Sequence, residues 1–420
     1  MEQSQRDKVQ QEAEEIWLNS NRRGSLIVGT GVGKSKITID ILRKLVLPKD
    51  AKILLLVNSE DLRDKNWKDE FEKWNSMDLW DKVTAECYQT AYKWKDTKWD
   101  LVIADEIDFS LTEEYSKFYS NNTFTYILGI SGTVTQDKET TYLNKIAPVV
   151  YRYSTQDAQE DNILNKTKLI LVEFDLSRNR KDITVKYKKA GKEHSFTQSE
   201  NDAYDYTDKQ YRITLGKIEK LKTDPDVLMG IDLKKIKELS SQEYRLKQFI
   251  RKRKELLHNS IASKDVAKAV KNQILSVDTN KVLIFSQLTE QSGKIADHTF
   301  NGTNKKGNTA IDDISSGVIR ELGVCKAVDR GTNMDGLNNI IMESYEGSTT
   351  QFQQRHGRGC RLLPGQSLYL YVLLPYFHRE VKNKENPTSK KWNRVPTQAV
   401  TWAENMMSEF NFKDTQRVRL

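Results

Sequence analysis

The chain has 420 residues, of which 37% are hydrophobic and 30% charged, and its 67 Lys and Arg outweigh its 59 Asp and Glu by a net +8. That length suits two or three domains with ordinary cores, and the modest basic excess favours a polyanionic partner. No apolar run is long enough to span a bilayer, the polar start MEQSQRDKVQQEAEE is unlike a signal peptide, and the three cysteines (Cys87, Cys325, Cys360) and five histidines lack metal-ligand spacing, which together argue against a membrane protein and a metal cluster and predict inert thiols in the cytoplasm, the host's if the protein is viral.

In chain order, short apolar runs bounded by turn residues come first: Ser25–Gly29, Ile53–Asn58, Leu101–Asp105 and Thr125–Ser131. Continuous runs of this length predict buried strands of a parallel sheet. Between two of them, Leu62–Trp74 places Leu62, Trp67, Phe71 and Trp74 on one side of a crossover helix. Strand–helix–strand order predicts a layered α/β domain over residues 1–155. Residues 156–275 are different, dense in Lys, Glu, Asp and Tyr. Leu169–Phe174 and Ile183–Tyr187 read as strands there. Ser199 with Asp202 reads as a capping box opening a helix with Tyr204, Tyr211, Leu215 and Ile218 inward. A second helix, about Asp232–His258, carries Leu233, Ile236, Leu239, Leu246 and Phe249. It ends in Arg251-Lys252-Arg253-Lys254, a solvated face or a contact with a nucleic-acid backbone. The α/β grammar returns over 276–375, with Val282–Ser286, Val318–Val324, Asn339–Ser344 and Leu368–Leu374 as strands. A polar tail, 376–420, carries a helix near Val400–Phe410.

Three clusters carry chemistry. Gly33-Lys34-Ser35 follows a strand and opens a helical pattern, the context of a phosphate-binding loop, although the usual glycine five residues earlier is Val28. Backbone N–H groups at the helix start would face phosphates, Lys34 would add charge at the β/γ oxygens and Ser35 would ligate Mg²⁺. WDLVIADEID, residues 99–108, ends an apolar strand in Asp105-Glu106. If that strand neighbours the loop strand, Asp105 holds Mg²⁺ through water and Glu106 orients and deprotonates an attacking water. The third is QRHGRGCR, residues 354–361, where Arg358 and Arg361 would reach a γ-phosphate and stabilise transition-state charge.

Together these residues resemble the superfamily 2 helicases and translocases, DExD/H proteins, in particular restriction-helicase-like and compact phage-type members. That superfamily's first motif reads A-x-T-G-x-G-K-[ST], and Val28-Gly29-Thr30-Gly31-Val32-Gly33-Lys34-Ser35 fits it without the early glycine. Leu54–Ser59 with the helix after it resembles motif Ia, Asp105–Asp108 motif II, Ser131-Gly132-Thr133 motif III, Val282–Gln287 motif IV, Val328–Asp335 motif V and Gln354–Arg361 motif VI. Arg6 to Ala13 resembles an upstream R-x-x-Q-x-E-A element, in which Gln10, or Gln11 as the spare, would read adenine. The resemblance implies two RecA-like parallel-sheet domains in tandem, joined by the mostly helical, charged insert 156–275. It implies ATP and Mg²⁺ as cofactors, with Gly331 and Gln354 also touching the nucleotide and Asp108, Ser131 and Thr133 coupling hydrolysis to movement. The implied activity is translocation on, and unwinding of, DNA that is single-stranded, forked or branched, independently of sequence and in preference to RNA, beside replication or recombination proteins. Two departures bear on it: motif II reads D-E-I-D, and motif V reads Gly331-Thr332-Asn333 where G-[IV]-D is usual. A branch-migration or duplex motor with little unwinding, an RNA helicase and an ATP-gated nucleic-acid clamp stand as alternatives.

Overall fold

Six strands form the sheet of the first unit: β1 (Arg23–Val28), β2 (Ile53–Val57), β3 (Val83–Cys87), β4 (Lys98–Asp105), β5 (Thr123–Ser131) and β6 (Val149–Tyr153), in the order β3-β2-β4-β5-β1-β6. Every neighbouring pair is parallel. The computed structural model describes residues 4–189, 192–301, 309–325, 334, 336–343, 352, 355–357, 366–381, 391–410 and 412–420. The chain divides into two units, one of residues 1–166, 328–338 and 347–368, the other of 167–327, 339–346 and 369–420. Both sheets are of the RecA-like α/β kind.

The four runs read as strands from sequence are β1, β2, β4 and β5, all with buried centres. β3 and β6 lie at the two edges, where one side needs no apolar partner, and neither carried the continuous apolar run of a central strand. Leu54, Leu56, Val102, Ala104 and Ile127 make one core, each removed from water at about 1.5–3 kcal/mol for the larger side chains. One expectation is corrected: β4 does not neighbour β1, because β5 pairs with both. A second concerns Leu62–Trp74: its first turn, Leu62–Asn66, is π-helical, and only Trp67–Lys73 is α-helical, with Trp67 and Phe71 buried.

The second unit holds β7 (Thr167–Asp175), the hairpin β8 (Ile183–Lys189) and β9 (Lys192–Gln198), β10 (Val282–Phe285), β11 (Thr299–Asn301), β12 (Glu321–Cys325), β13 (Asn339–Met342), β14 (Leu368–Val381), β15 (Lys391–Pro396) and β16 (Asp414–Arg419). Its main sheet runs β11-β12-β10-β13-β14-β7-β16, with β15 on β14. Residues 156–275, expected as an insert between two domains, are therefore corrected: β7 is an inner strand of this sheet, and the helices that follow belong to the same unit. The tail also carries β16, parallel to β7, which its polar sequence DTQRVR gave no sign of.

Two long helices follow β9. Ser199 caps Glu200–Lys222, its hydroxyl accepting from the Asp202 N–H at 3.1 Å, and Asp232 caps Leu233–His258. Tyr204 and Ile218 are buried as expected, and Leu233, at the start of the second helix, is 70% exposed. The basic run splits: Arg251 and Lys252 are exposed, whereas Arg253 is buried. Arg253 forms an ion pair with Asp208 at 3.1 Å, where Arg212 Nε (2.7 Å) and Arg379 Nη2 (2.8 Å) also meet, tying both helices to β14. For Asp208, burial works against the charged form, but the hydrogen bonds from Arg212 and Arg379 and the charge of Arg253 outweigh it and hold the carboxyl below its ordinary range.

Candidate nucleotide site

The site stands at the C-terminal ends of β1, β4 and β5. After β1 the chain turns through Gly29–Gly33 into α2 (Lys34–Lys44). Gly29 leaves no room for a side chain: a Cβ there would lie 2.6 Å from the Thr155 nitrogen. Gly31 (φ 96°) and Gly33 (φ 118°) sit in the left-handed region that favours glycine, and Gly33 caps α2 without any side-chain bond. The first N–H groups of α2 are thus open to an anion. Ile37, Thr38, Ile39, Ile41 and Leu42 are buried along α2.

The helix α1 (Gln5–Asn19) braces this loop. Val9, Ala13 and Trp17 recur every four residues and are buried, and the Trp17 indole donates to the carbonyls of Gly24 and Ile127, both at 3.2 Å. That anchoring sets Gln10 under the loop, where its amide donates to the Val32 carbonyl at 2.8 Å. A Cβ on Gly33 would come within 2.2 Å of the Gln10 amide nitrogen. Gln11 is exposed and bonds Glu15 instead. Of the two glutamines, Gln10 meets the loop, and it does so as a support for its backbone.

Lys34 Nζ pairs with Glu106 Oε1 at 3.3 Å, across the end of β5. Glu106 has a left-handed backbone (φ 48°, ψ 54°), a strained state for a residue with a side chain. Asp105 is buried, and its Oδ2 accepts from the Trp67 indole at 2.9 Å. Burial first, then the adjacent Glu106 charge, raise its pKa to about 6, against the weaker opposing pull of the Trp67 hydrogen bond and Lys34. The Tyr88 hydroxyl donates to the Asp105 carbonyl at 2.9 Å.

Because β5 lies between β1 and β4, its terminal residues fill the gap between loop and carboxylates. Ser131 Oγ lies 2.8 Å from Asp108 Oδ1, 3.2 Å from Glu106 Oε2 and 2.8 Å from the Thr133 carbonyl. Lys138 Nζ donates to the Asp108 carbonyl at 2.6 Å. Asp108, Ser131 and Thr133, expected to act together, do meet. A Cβ on Gly132 would stand 3.3 Å from Thr30 Oγ1 and 3.4 Å from Lys34 Nζ, so glycine keeps this cradle clear. In the same unit, a Cβ on Gly357 would come within 2.7 Å of the Thr30 Cβ, which sets the middle of Gln354–Arg361 against the phosphate loop. Arg355 and His356 are buried there, and burial lowers the His356 pKa to about 4. Gly331, Gln354, Arg358 and Arg361 lie outside the described residues.

Ser35 at the start of α2 and the under-neutralised Asp105 supply oxygen donors suited to Mg²⁺ beside an open helix start. Among the described residues no group of three or more His, Cys, Asp and Glu could hold a metal ion. Trp67, Tyr88 and Lys138 were not singled out from sequence as supports of the carboxylates. Trp67 was visible only as an apolar helix position, and nothing local announced its indole as the donor to Asp105.

Residues 3–136 match the family described as type III restriction enzyme, res subunit. Among solved structures, the ATP-dependent type ISP restriction-modification enzyme LlaBIII bound to DNA is similar at a TM-score of 0.56 and 14% identity, over 98% of this chain and 31% of that one. A putative HsdR subunit of a type I restriction enzyme from Vibrio vulnificus YJ016 gives 0.54 and 12%, over 99% and 68%. S. cerevisiae Dbp5 bound to RNA and ADP BeF3 gives 0.52 and 13%, over 98% and 89%. The chain thus spans less than a third of the LlaBIII chain. No curated protein matches it in sequence. The family match is thus confined to the part of the chain that holds the phosphate loop and the Asp105–Asp108 carboxylates, and over the rest the likeness to these structures is one of fold. No helix among the described residues is long and apolar enough to cross a membrane.

Proposed function

We propose that this chain is an ATP-driven motor that moves along DNA and separates its strands. The observation that carries the reading is the Lys34–Glu106 ion pair at 3.3 Å, closed over an open helix start with Ser131 between the carboxylates. In this reading the phosphates of ATP enter at the N–H groups of Gly31 to Ser35 and draw Lys34 from Glu106. Glu106, released, takes a proton from the attacking water. Mg²⁺ held by Ser35 and Asp105 would neutralise phosphate charge. Arg358 and Arg361, which follow Gly357 in sequence, would stabilise the transferring phosphoryl group with their rigid guanidinium forks. Ser131 joins Asp108 to Glu106, a route by which a change at the phosphates reaches the β5–Lys138 segment. Nucleic acid is held through its phosphates and independently of sequence. Support for such a partner comes from the relatives described as bound to DNA and to RNA with ADP BeF3.

The test pairs an Mg²⁺-dependent ATPase assay, run with single-stranded DNA, duplex, fork and RNA, with strand displacement on the same fork. Glu106→Gln should bind ATP yet lose about 10²–10⁴-fold in turnover. Parental turnover in Glu106→Gln removes Glu106 from its role, and ATPase without displacement moves the reading to a duplex motor.

A further inference from the structure

The helices Glu200–Lys222 and Leu233–His258 pack on each other as an antiparallel pair, and their far half leaves the body of the second unit: no residue from Glu219 to Ser241 is buried. At 1.5 Å per residue the shorter helix alone is about 35 Å long. The turn between them is built rather than loose. Asp224 caps the short helix Pro225–Leu228, Lys235 bridges Asp224 (2.7 Å) and Asp226 (3.3 Å), and the Ile231 N–H returns to the Asp226 carbonyl at 2.8 Å through Gly230 at φ 72°. This scaffold holds Leu228, Met229, Ile231 and Leu233 outward at 72%, 74%, 68% and 70% exposure. Four large apolar side chains stand exposed at one tip, where the apolar Val227 beside them is the one that is partly covered.

The charge around the tip says what it meets. Residues 209–254 hold 14 Lys and Arg against 6 Asp and Glu, a net +8 that equals the charge of the whole chain. Some of these cations are paired within the arm, as Lys222 is with Glu243. Lys217, Lys220, Lys234, Lys237, Arg245 and Lys247 have no ion-pair partner among the described residues. A protein partner would be matched by apolar area with a mixed-charge rim; a shaft of unpaired cations ending in an apolar tip matches a polyanion with unstackable apolar faces inside it, which is nucleic acid.

We infer that this helical hairpin is a DNA-gripping arm whose shaft lies along phosphates and whose tip inserts Leu228, Met229, Ile231 or Leu233 against the last stacked base pair of a fork. The inference rests on the reading of the chain as a nucleic-acid motor and adds a place and a substrate form to it. Apolar wedges of this kind trade unstacking for a larger shared surface, so a junction, already unstacked on one side, is the favoured target.

The test measures binding without ATP. A synthetic DNA fork and a plain duplex of equal length are titrated by fluorescence anisotropy against the parent and against Leu228→Ser/Met229→Ser/Ile231→Ser/Leu233→Ser, whose exposed positions leave the fold intact, as a thermal melt verifies. The parent should prefer the fork about tenfold, and the variant should bind both alike. Neutralising Lys217, Lys220, Lys237 and Lys247 to Gln should lower the slope of log affinity on log salt by up to about 0.9 for each phosphate no longer neutralised. A photo-crosslinker at position 229 should label bases beside the junction. Lys34→Ala should keep the fork preference and the crosslink, so an absent ATPase would sink the motor while leaving the arm standing. An unchanged fork preference in the Ser variant, or a crosslinker that labels an added protein partner and never the fork, overturns the arm.

Discussion

Two buried aspartates, one in each unit, are held in opposite ways. Asp208 sits 1% exposed among Arg212, Arg253 and Arg379, and its pKa lies below the ordinary value. Asp105 sits 8% exposed with the neutral Trp67 indole and the Glu106 backbone N–H as donors, beside a second carboxylate, and its pKa rises to about 6. Both carboxylates lost water; three guanidinium groups outweigh that loss at Asp208, whereas the charge of Lys34 does not outweigh it at Asp105. A fully matched carboxylate is a joint between elements, here two long helices and β14. An under-matched one keeps its perturbed state, the pattern that marks a candidate functional group rather than a joint.

The comparison breaks most visibly under the same substitution made twice. Asp208→Asn should strip three guanidinium groups of their shared anion and cost about 3–5 kcal/mol, because uncompensated buried charge is left behind. Asp105→Asn keeps an acceptor for Trp67 and removes repulsion with Glu106, so it should leave stability unchanged or raise it by about 1–3 kcal/mol while Mg²⁺-dependent turnover collapses. Chemical denaturation of both variants, followed separately in each unit, measures the two signs. A loss of stability in Asp105→Asn as large as in Asp208→Asn would make Asp105 a structural joint too.

Acidity sharpens the same contrast. Folded Asp105 keeps a proton up to about pH 6, whereas the unfolded chain releases it near its ordinary 3.8. Its contribution therefore favours the fold at low pH and is lost as pH rises through 6. Asp208, shifted the other way, contributes above its ordinary 3.8 and loses that contribution as pH falls through its lower folded value. Cation binding at Asp105 must displace its proton below pH 6. Affinity for Mg²⁺ with a non-hydrolysable ATP analogue should fall about three- to tenfold between pH 7 and 5, beyond what Asp105→Asn shows under the same conditions. Titrations on the two proteins side by side remove the nucleotide's own protonation from the result, and equal pH slopes would show that Asp105 takes no part in holding the ion.

What could be read from sequence divides along the same line. Gly33-Lys34-Ser35 and Asp105-Glu106 are contiguous, each at one strand end, and were legible from their local pattern, whereas Ser131-Gly132-Thr133 was legible only through its resemblance to motif III. The placing of β5 between β1 and β4 was not, since strand order depends on partners far apart in the chain. Asp208 gathers arginines 4, 45 and 171 residues away, so no periodic pattern displays it as a hub. β16 pairs Val418 with Val172 although its own sequence is polar, because an edge strand buries little and apolar content cannot reveal it. Leu233 was legible as an apolar helix position but its 70% exposure was not, because no residue from Glu219 to Ser241 is buried. Periodicity reports which side of a helix is apolar and not what, if anything, stands opposite.

The smallest expected effect separates two roles for Gln10. Reading adenine needs its amide turned to the base, whereas here the N–H₂ is spent on the Val32 carbonyl beneath the loop. Removing it in Gln10→Ala leaves that carbonyl without its donor and opens the space under Gly33, a loss of about 1 kcal/mol for a neutral hydrogen bond. As a brace it should weaken ATP and GTP alike, each by about fivefold, since the loop it supports meets only phosphates. Gln11→Ala, exposed and bonded to Glu15, should change neither. Competition titrations with a fluorescent nucleotide give both ratios. If Gln10→Ala instead weakens ATP alone and removes a preference over GTP, the glutamine turns to the base when nucleotide binds, and its bond to Val32 belongs to the empty loop.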